Sequence, residues 1–129
     1  MTKSDLYKKG EENFRKLFGD ERVDNVLNNV NSFDEDFHKL LLEYCFGELW
    51  GREGLSWKQR SLNNLCLLAG LNRAKEFETH VRGAIRNGCT VEEIRETLLQ
   101  ITVYAGIPAG VEAFRITGRV FKEEGVEII

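Results

Sequence analysis

Hydrophobic positions recur along this chain at spacings of three and four, and no run alternates at period two. That pattern predicts amphipathic helices rather than strands. The first spans 5–18, with Leu6, Gly10, Phe14, Leu17 and Phe18 on one side and Gly19 as its stop. The next spans 21–30, with Val23, Val26, Leu27 and Val30 inward. Ser32-Phe33-Asp34-Glu35 has the spacing of a capping box, in which a hydroxyl and a carboxylate satisfy each other's backbone N–H groups. The helix it opens turns Phe37, Leu40, Leu41, Tyr44 and Cys45 inward and runs to about Trp50, with a loop at 51–55.

A second box, Ser56-Trp57-Lys58-Gln59, opens a helix through Leu62, Leu65, Cys66, Leu68 and Ala69. It is apolar on most sides after Asn64, which predicts a central position. Gly70 and Asn72 break it. The helix over 73–87 turns Phe77, Val81, Ala84 and Ile85 inward, with Gly88 just past its end, where glycine is preferred. Thr90-Val91-Glu92-Glu93 is a third box, and its helix runs through Ile94, Leu98, Ile101 and Ala105. Gly106 and Pro108 mark a turn, and the last helix places Val111, Phe114, Thr117, Gly118 and Phe121 inward and ends near Gly125. The expectation is an all-α single domain over 1–129, a bundle of six to seven helices, without linker, repeat or low-complexity segment.

Composition narrows the function classes. Lys and Arg total 18 against 21 Asp and Glu, a net charge of −3, so the footprint of a general nucleic-acid binder is missing. The helix pair at 91–124 has too few basic residues in its second helix for a DNA-reading helix-turn-helix. No stretch approaches the ~20 apolar residues that span a bilayer, and MTKSDLYKKG has no apolar centre of a secretory signal. Cys45, Cys66 and Cys89 form no C-x-x-C pair or zinc spacing. They read as reduced thiols in the cytoplasm, Cys45 and Cys66 as small buried hydrophobes.

Four kinds of polar residue stand where a helix face is otherwise apolar. Glu48 flanks the stripe of Leu41 and Tyr44; a carboxylate there is either paired or at the helix end reaching solvent, and position alone favours the second. His80 lies on the edge of the face formed by Phe77, Val81 and Ala84, with Glu76 one turn earlier to orient its ring. Histidine titrates near neutrality unaided, although a merely satisfied boundary histidine fits the single helix as well. His38, in a charged stretch, is expected to be exposed. From Arg60 to Arg119 there are seven arginines and one lysine, and the guanidinium fork grips carboxylates bidentately. Most of these fit surface or interface positions equally. Tyr104 follows Ile101 by three and is expected in the core, its hydroxyl available to a cavity.

The stretches FGELWGREGLSWKQRSL (46–62), HVRGAIRNGCTVEEIRETLLQ (80–100) and VYAGIPAG (103–110), with YKKGEENFRKLFGDERVD (7–24) upstream, closely resemble the carboxymuconolactone decarboxylase family, and within it the branch acting on 4-carboxymuconolactone. The resemblance covers nearly the whole chain. Relatives of the wider alkylhydroperoxidase D-like group carry a C-x-x-C pair seven and four residues before the shared histidine. Here those positions are Arg73 and Glu76, so the nucleophilic and resolving thiols of peroxide reduction are missing. The resemblance implies an alkylhydroperoxidase D-like all-α subunit in a homo-oligomer, a trimer or hexamer, with sites near subunit contacts.

It further implies a cofactor-free decarboxylation of a small carboxylated lactone, 4-carboxymuconolactone, to 3-oxoadipate enol-lactone. On this reading His80 donates a proton, or a hydrogen bond to the lactone oxygen, and Glu48 orients it or relays its proton. Arg60 and Arg52 clamp carboxylates, Tyr104 supplies a hydroxyl, and Trp50 with Phe46 forms an apolar wall. The structural alternatives are a helix-start salt bridge for Arg60 and a core position for Trp50. Two other readings stand beside it: a family enzyme acting on another acidic lactone or keto acid, and a non-catalytic oligomeric binding protein, against which retention of Glu48 and His80 argues. Net charge is −3 over 1–59, +2 over 60–119 and −2 over 120–129. The middle segment, which holds His80, therefore suits a polycarboxylate.

Overall fold

Seven α-helices and one π-helical segment, with no strand among the described residues 3–128, make up the computed structural model. The helices group into two compact units, one ending at Ser56 and the other beginning at Trp57.

The first unit contains α1 (Asp5–Phe18), α2 (Asp20–Leu27) and α3 (Glu35–Leu40), and α3 passes without a break into a π-helical segment (Leu41–Leu49). Ser4 caps α1 through its hydroxyl, which accepts from the Tyr7 N–H at 3.0 Å. α1 and the π segment touch backbone to backbone. A side chain on Gly10 would run into the Leu42 carbonyl, and one on Gly47 would lie 2.7 Å from the Leu6 carbonyl. Asn13, buried on α1, donates to the Phe46 carbonyl at 2.8 Å. The Trp50 N–H reaches back five residues to Cys45, the wider winding that defines a π-helix.

That winding moves the inward face. Leu42, Phe46 and Gly47 are buried, whereas Phe37 and Tyr44, expected inward from a 3.6-residue period, are 61% and 75% exposed. Leu40 is exposed too. On α1, Tyr7 and Asn13 are buried and Leu6 is exposed, because the close approach at Gly10 sets the contact line. The expected Ser32 capping box does not form. Asn31 replaces it, its side-chain oxygen accepting from the Phe33 and Asp34 N–H groups while the Asp34 carboxylate accepts from the Asn31 N–H. An Asx turn thus competes successfully with the serine.

The second unit contains α4 (Trp57–Gly70), α5 (Ala74–Arg86), α6 (Val91–Tyr104) and α7 (Ile107–Glu123). α4 packs against all three others, as α7 does, but it buries only Ser61 and Leu65, so it is less enclosed than its apolar run predicts. Leu67 on its outer side is 60% exposed. Asn72 takes a positive φ of 60°, as asparagine tolerates, and turns the chain into α5. α5 ends in a Schellman motif: Gly88 (φ 84°) donates to Ile85, and Cys89 to Ala84. The Thr90–Glu93 box forms with both bonds in place, at 3.0 and 2.8 Å. Leu65, Phe77, Val81, Ile94, Leu98 and Ile116 centre the core. On α7 the buried line is Gly110, Ala113, Ile116, Thr117, Val120 and Phe121, while Val111, Phe114 and Gly118 face outward. Gly110 abuts the Thr102 side chain, and this contact of small residues rotates α7 away from the expected register. No described helix is long and apolar enough to cross a membrane.

Candidate functional site

His80 projects from the middle of α5, half-buried between the turns that carry Phe77 and Val81 into the core. Burial pushes its imidazole down to about 4, against the opposing attraction of Glu76 one turn earlier. At neutral pH the ring is therefore uncharged and offers one N–H donor and one acceptor nitrogen.

Arg60 stands in the first turn of α4, half-buried. Its Nε–H is buried and meets no acceptor among the described residues, and no ion pair holds the guanidinium there. The expected salt bridge at the helix start is thus not what occupies it. The backbone beneath Arg60 is held on two sides. Asn87 at the end of α5 donates to Ser61 Oγ at 2.8 Å, and Lys58 pairs with Glu93 on α6 at 2.9 Å. Asn87 lies seven residues beyond His80, two turns or ~10 Å of helix axis, so Arg60 stands about two turns from His80 along the α4–α5 pair.

Two other arginines of the segment are already committed. Arg82 binds Glu78, Glu123 and Glu124 at 3.0, 2.6 and 2.6 Å, and Arg119 binds Glu78 and Glu123 at 2.6 and 3.2 Å. This network fastens α5 to the end of α7 and draws the Glu78 carboxyl down to about 2, through Arg119 first and Arg82 second. The −2 of the chain's tail is thus spent on the +2 of the segment before it, and a pocket for carboxylates draws on fewer arginines than the count suggests.

Glu48, Arg52 and Trp50 belong to the first unit, and His80, Arg60 and Tyr104 to the second. Glu48 is exposed and pairs with Arg52 at 3.3 Å, one turn on. Trp50 is 2% exposed, and Phe46 stacks on Phe14 with centroids 4.5 Å apart, so both serve a core. Tyr104 is 84% exposed, which corrects its expected burial. It is the last residue of α6, where Gly106 (φ 108°) turns the chain. His38 is also corrected: it is half-buried, with Nε2 3.6 Å from the Asp34 carboxylate.

All three cysteines are free thiols, and Cys45 and Cys66 are only partly buried. Burial raises all three, Cys89 to about 11, so none is a ready thiolate. No group of His, Cys, Asp and Glu fit to hold a metal ion occurs among the described residues.

A cavity of about 320 Å³ opens in the second unit, lined by Leu68, Arg73, Phe77, Pro108, Glu112 and Ile116 among others. His80 does not line it, although Phe77 in its wall lies one turn before His80. Arg73 has no ion pair among the described residues and faces this cavity. It is the carboxylate-gripping candidate that sequence reasoning passed over, and its signal was an arginine immediately before an amphipathic helix.

A sequence profile described as the Carboxymuconolactone decarboxylase family matches residues 35–118. The chain is 35% identical over 126 residues to the 4-carboxymuconolactone decarboxylase of Acinetobacter baylyi, covering 98% of this chain and 94% of that protein. It is 38% identical over 118 residues to the nitrosuccinic acid decarboxylase of Metarhizium robertsii, covering 92% and 82%.

Proposed function

The chain belongs to the carboxymuconolactone decarboxylase family and is a carboxy-lyase, and we propose that it converts 4-carboxymuconolactone to 3-oxoadipate enol-lactone without a cofactor, in the cytoplasmic breakdown of aromatic acids. The observation that carries this reading is the buried Arg60 Nε–H without an acceptor, on the same helix pair as a neutral, half-buried histidine. A buried donor of this kind is costly to leave unmade, and a substrate carboxylate supplies what it lacks.

The substrate contains its own electron sink. As the bond from the γ-carbon to its carboxylate breaks, the electron pair passes through the ring double bond to the lactone carbonyl. Carbon dioxide leaves, and a proton adds at the α-carbon. The His80 N–H is suited to stabilise the developing oxyanion. Two substrate carboxylates near the imidazole would also favour its charged form and lift it from about 4 toward neutrality. His80 then takes up a proton as substrate binds and holds it for the α-carbon. Arg60 grips a carboxylate, with Tyr104 contributing where subunits meet. In this reading the leaving carboxylate faces apolar surface, which favours dispersal of its charge.

A trimer or hexamer is part of this reading. Val103, Tyr104, Ile107 and Val111 are exposed around the α6–α7 turn, the kind of apolar surface that association covers.

The nitrosuccinic acid decarboxylase relative favours a second reading, another dicarboxylate with an internal sink, since a nitro group accepts the electron pair as a lactone carbonyl does. A spectroscopic assay with each acid separates them. Turnover of the lactone lowered ~100-fold or more by His80→Ala, with folding retained, fits the first reading. Parent-rate turnover in that variant removes His80 from the mechanism.

A further inference from the structure

A second, smaller cavity of about 180 Å³ lies between α6 and α7, and none of the residues proposed for decarboxylation lines it. Its walls are apolar: Ile94 and Leu98 from α6, Phe114 and Phe121 from α7. Three features set it apart from a packing fault.

The first is Thr117, which lines the slot and is 2% exposed. Its hydroxyl has no hydrogen-bond partner among the described residues. Helical threonines ordinarily bond back to the carbonyl four residues earlier. Thr79, Thr97 and Thr102 do so here, at 3.3, 2.9 and 2.8 Å, and Thr117 does not. The second is Arg95, exposed at the slot's edge and without an ion pair among the described residues. The third is Gly118, a helical glycine lining the slot, where an added Cβ would meet nothing within 4 Å. Gly118 is exposed at the slot's mouth, so a side chain added there has room to cover the opening.

We propose that this slot binds a small aromatic monocarboxylate bearing a ring hydroxyl. Size argues for one ring, since an apolar cavity of about 150 Å³ takes up benzene. The two phenylalanines offer edge or face contacts to such a ring. Arg95 meets the carboxylate at the mouth with its planar fork. The ring hydroxyl reaches the Thr117 Oγ1, which both donates and accepts. The site shares no residue with the decarboxylase reading and does not depend on it.

Titration calorimetry of the whole chain with 4-hydroxybenzoate and with benzoate tests this. The expected result is saturable uptake of one 4-hydroxybenzoate per chain, with a Kd on the order of 1 mM. Gly118→Leu, which covers the slot's mouth, should weaken it at least about tenfold, and Arg95→Gln should weaken both acids alike. Thr117→Val should bring 4-hydroxybenzoate down to the affinity of benzoate and leave benzoate unchanged. Arg60→Gln should alter neither. Absence of saturable uptake by the parent chain overturns the proposal, as does uptake that survives Gly118→Leu or is lost in Arg60→Gln. Should Gly118→Leu fail to fold, the contrast between Arg95→Gln, which weakens both acids, and Thr117→Val, which weakens 4-hydroxybenzoate alone, decides it.

Discussion

Mild acid should destabilise this protein through His80, beginning at a higher pH than the window in which its low-held carboxylates act. The imidazole has an ordinary value of 6.5 and is held at about 4 by burial. Between those values the unfolded chain takes up a proton that the folded chain refuses. Stability is therefore fully present above pH 6.5 and is lost as pH falls toward 4. The full gap, at 1.36 kcal/mol per unit, corresponds to about 3 kcal/mol, a large part of the ~5–15 kcal/mol that a domain has in total. The carboxylates held low, Glu78, Glu93 and Glu123, act in a lower window, because an unfolded glutamate protonates near 4.5.

Urea unfolding followed by circular dichroism at about pH 7, 6, 5 and 4.5 measures the effect in the parent and in His80→Gln. The variant carries no proton at this position at any of these pH values, and every other titrating group is common to both proteins. The parent should lose roughly 2 kcal/mol more than the variant between pH 6.5 and 4.5, whatever the two stabilities are at pH 7. Parallel declines would refute the reasoning, and with it the uptake of a proton by His80 on substrate binding.

Gly10→Ala should destabilise the first unit by about 3 kcal/mol, because its Cβ meets the Leu42 carbonyl, a backbone atom that cannot step aside; urea unfolding of the variant measures this. Thr90→Ala removes one bond of the capping box on α6 and should cost about 1 kcal/mol, read from its unfolding midpoint. Arg82→Met takes one of two cations from Glu78, so that carboxyl should rise from about 2, part of the way only, because Arg119 still holds it; carboxyl NMR titration follows it.

The order of the helices and most of their ends were legible because capping is local. Thr90 with Glu93, Gly88 after Asn87 and Gly106 before Pro108 each act within a few residues, and each does in the structure what its spacing predicts. Ser32 misled because Asn31 beside it makes a tighter local bond. Faces were less legible than ends. Phe37, Leu40 and Tyr44 follow a 3.6-residue period faithfully and still lie outside: α3 buries none of its residues, and the π-helical segment after it turns Leu42, Phe46 and Gly47 inward, against Gly10 and Asn13 of α1.

For the candidate site, residue type and position left His80 and Arg60 open to structural readings, and the resemblance singled them out. The residues by themselves determined an all-α chain, its punctuation and its family. Tertiary structure decided which way each helix is rolled, and therefore that Tyr104 is outside and Trp50 inside. It also decided which arginines are available: Arg82 and Arg119 are consumed by glutamates some forty residues away, while Arg60 is left with a buried, unanswered N–H. Local spacing governs bonds that close within one turn. Burial and ion pairing depend on what other helices bring, and only packing determines that.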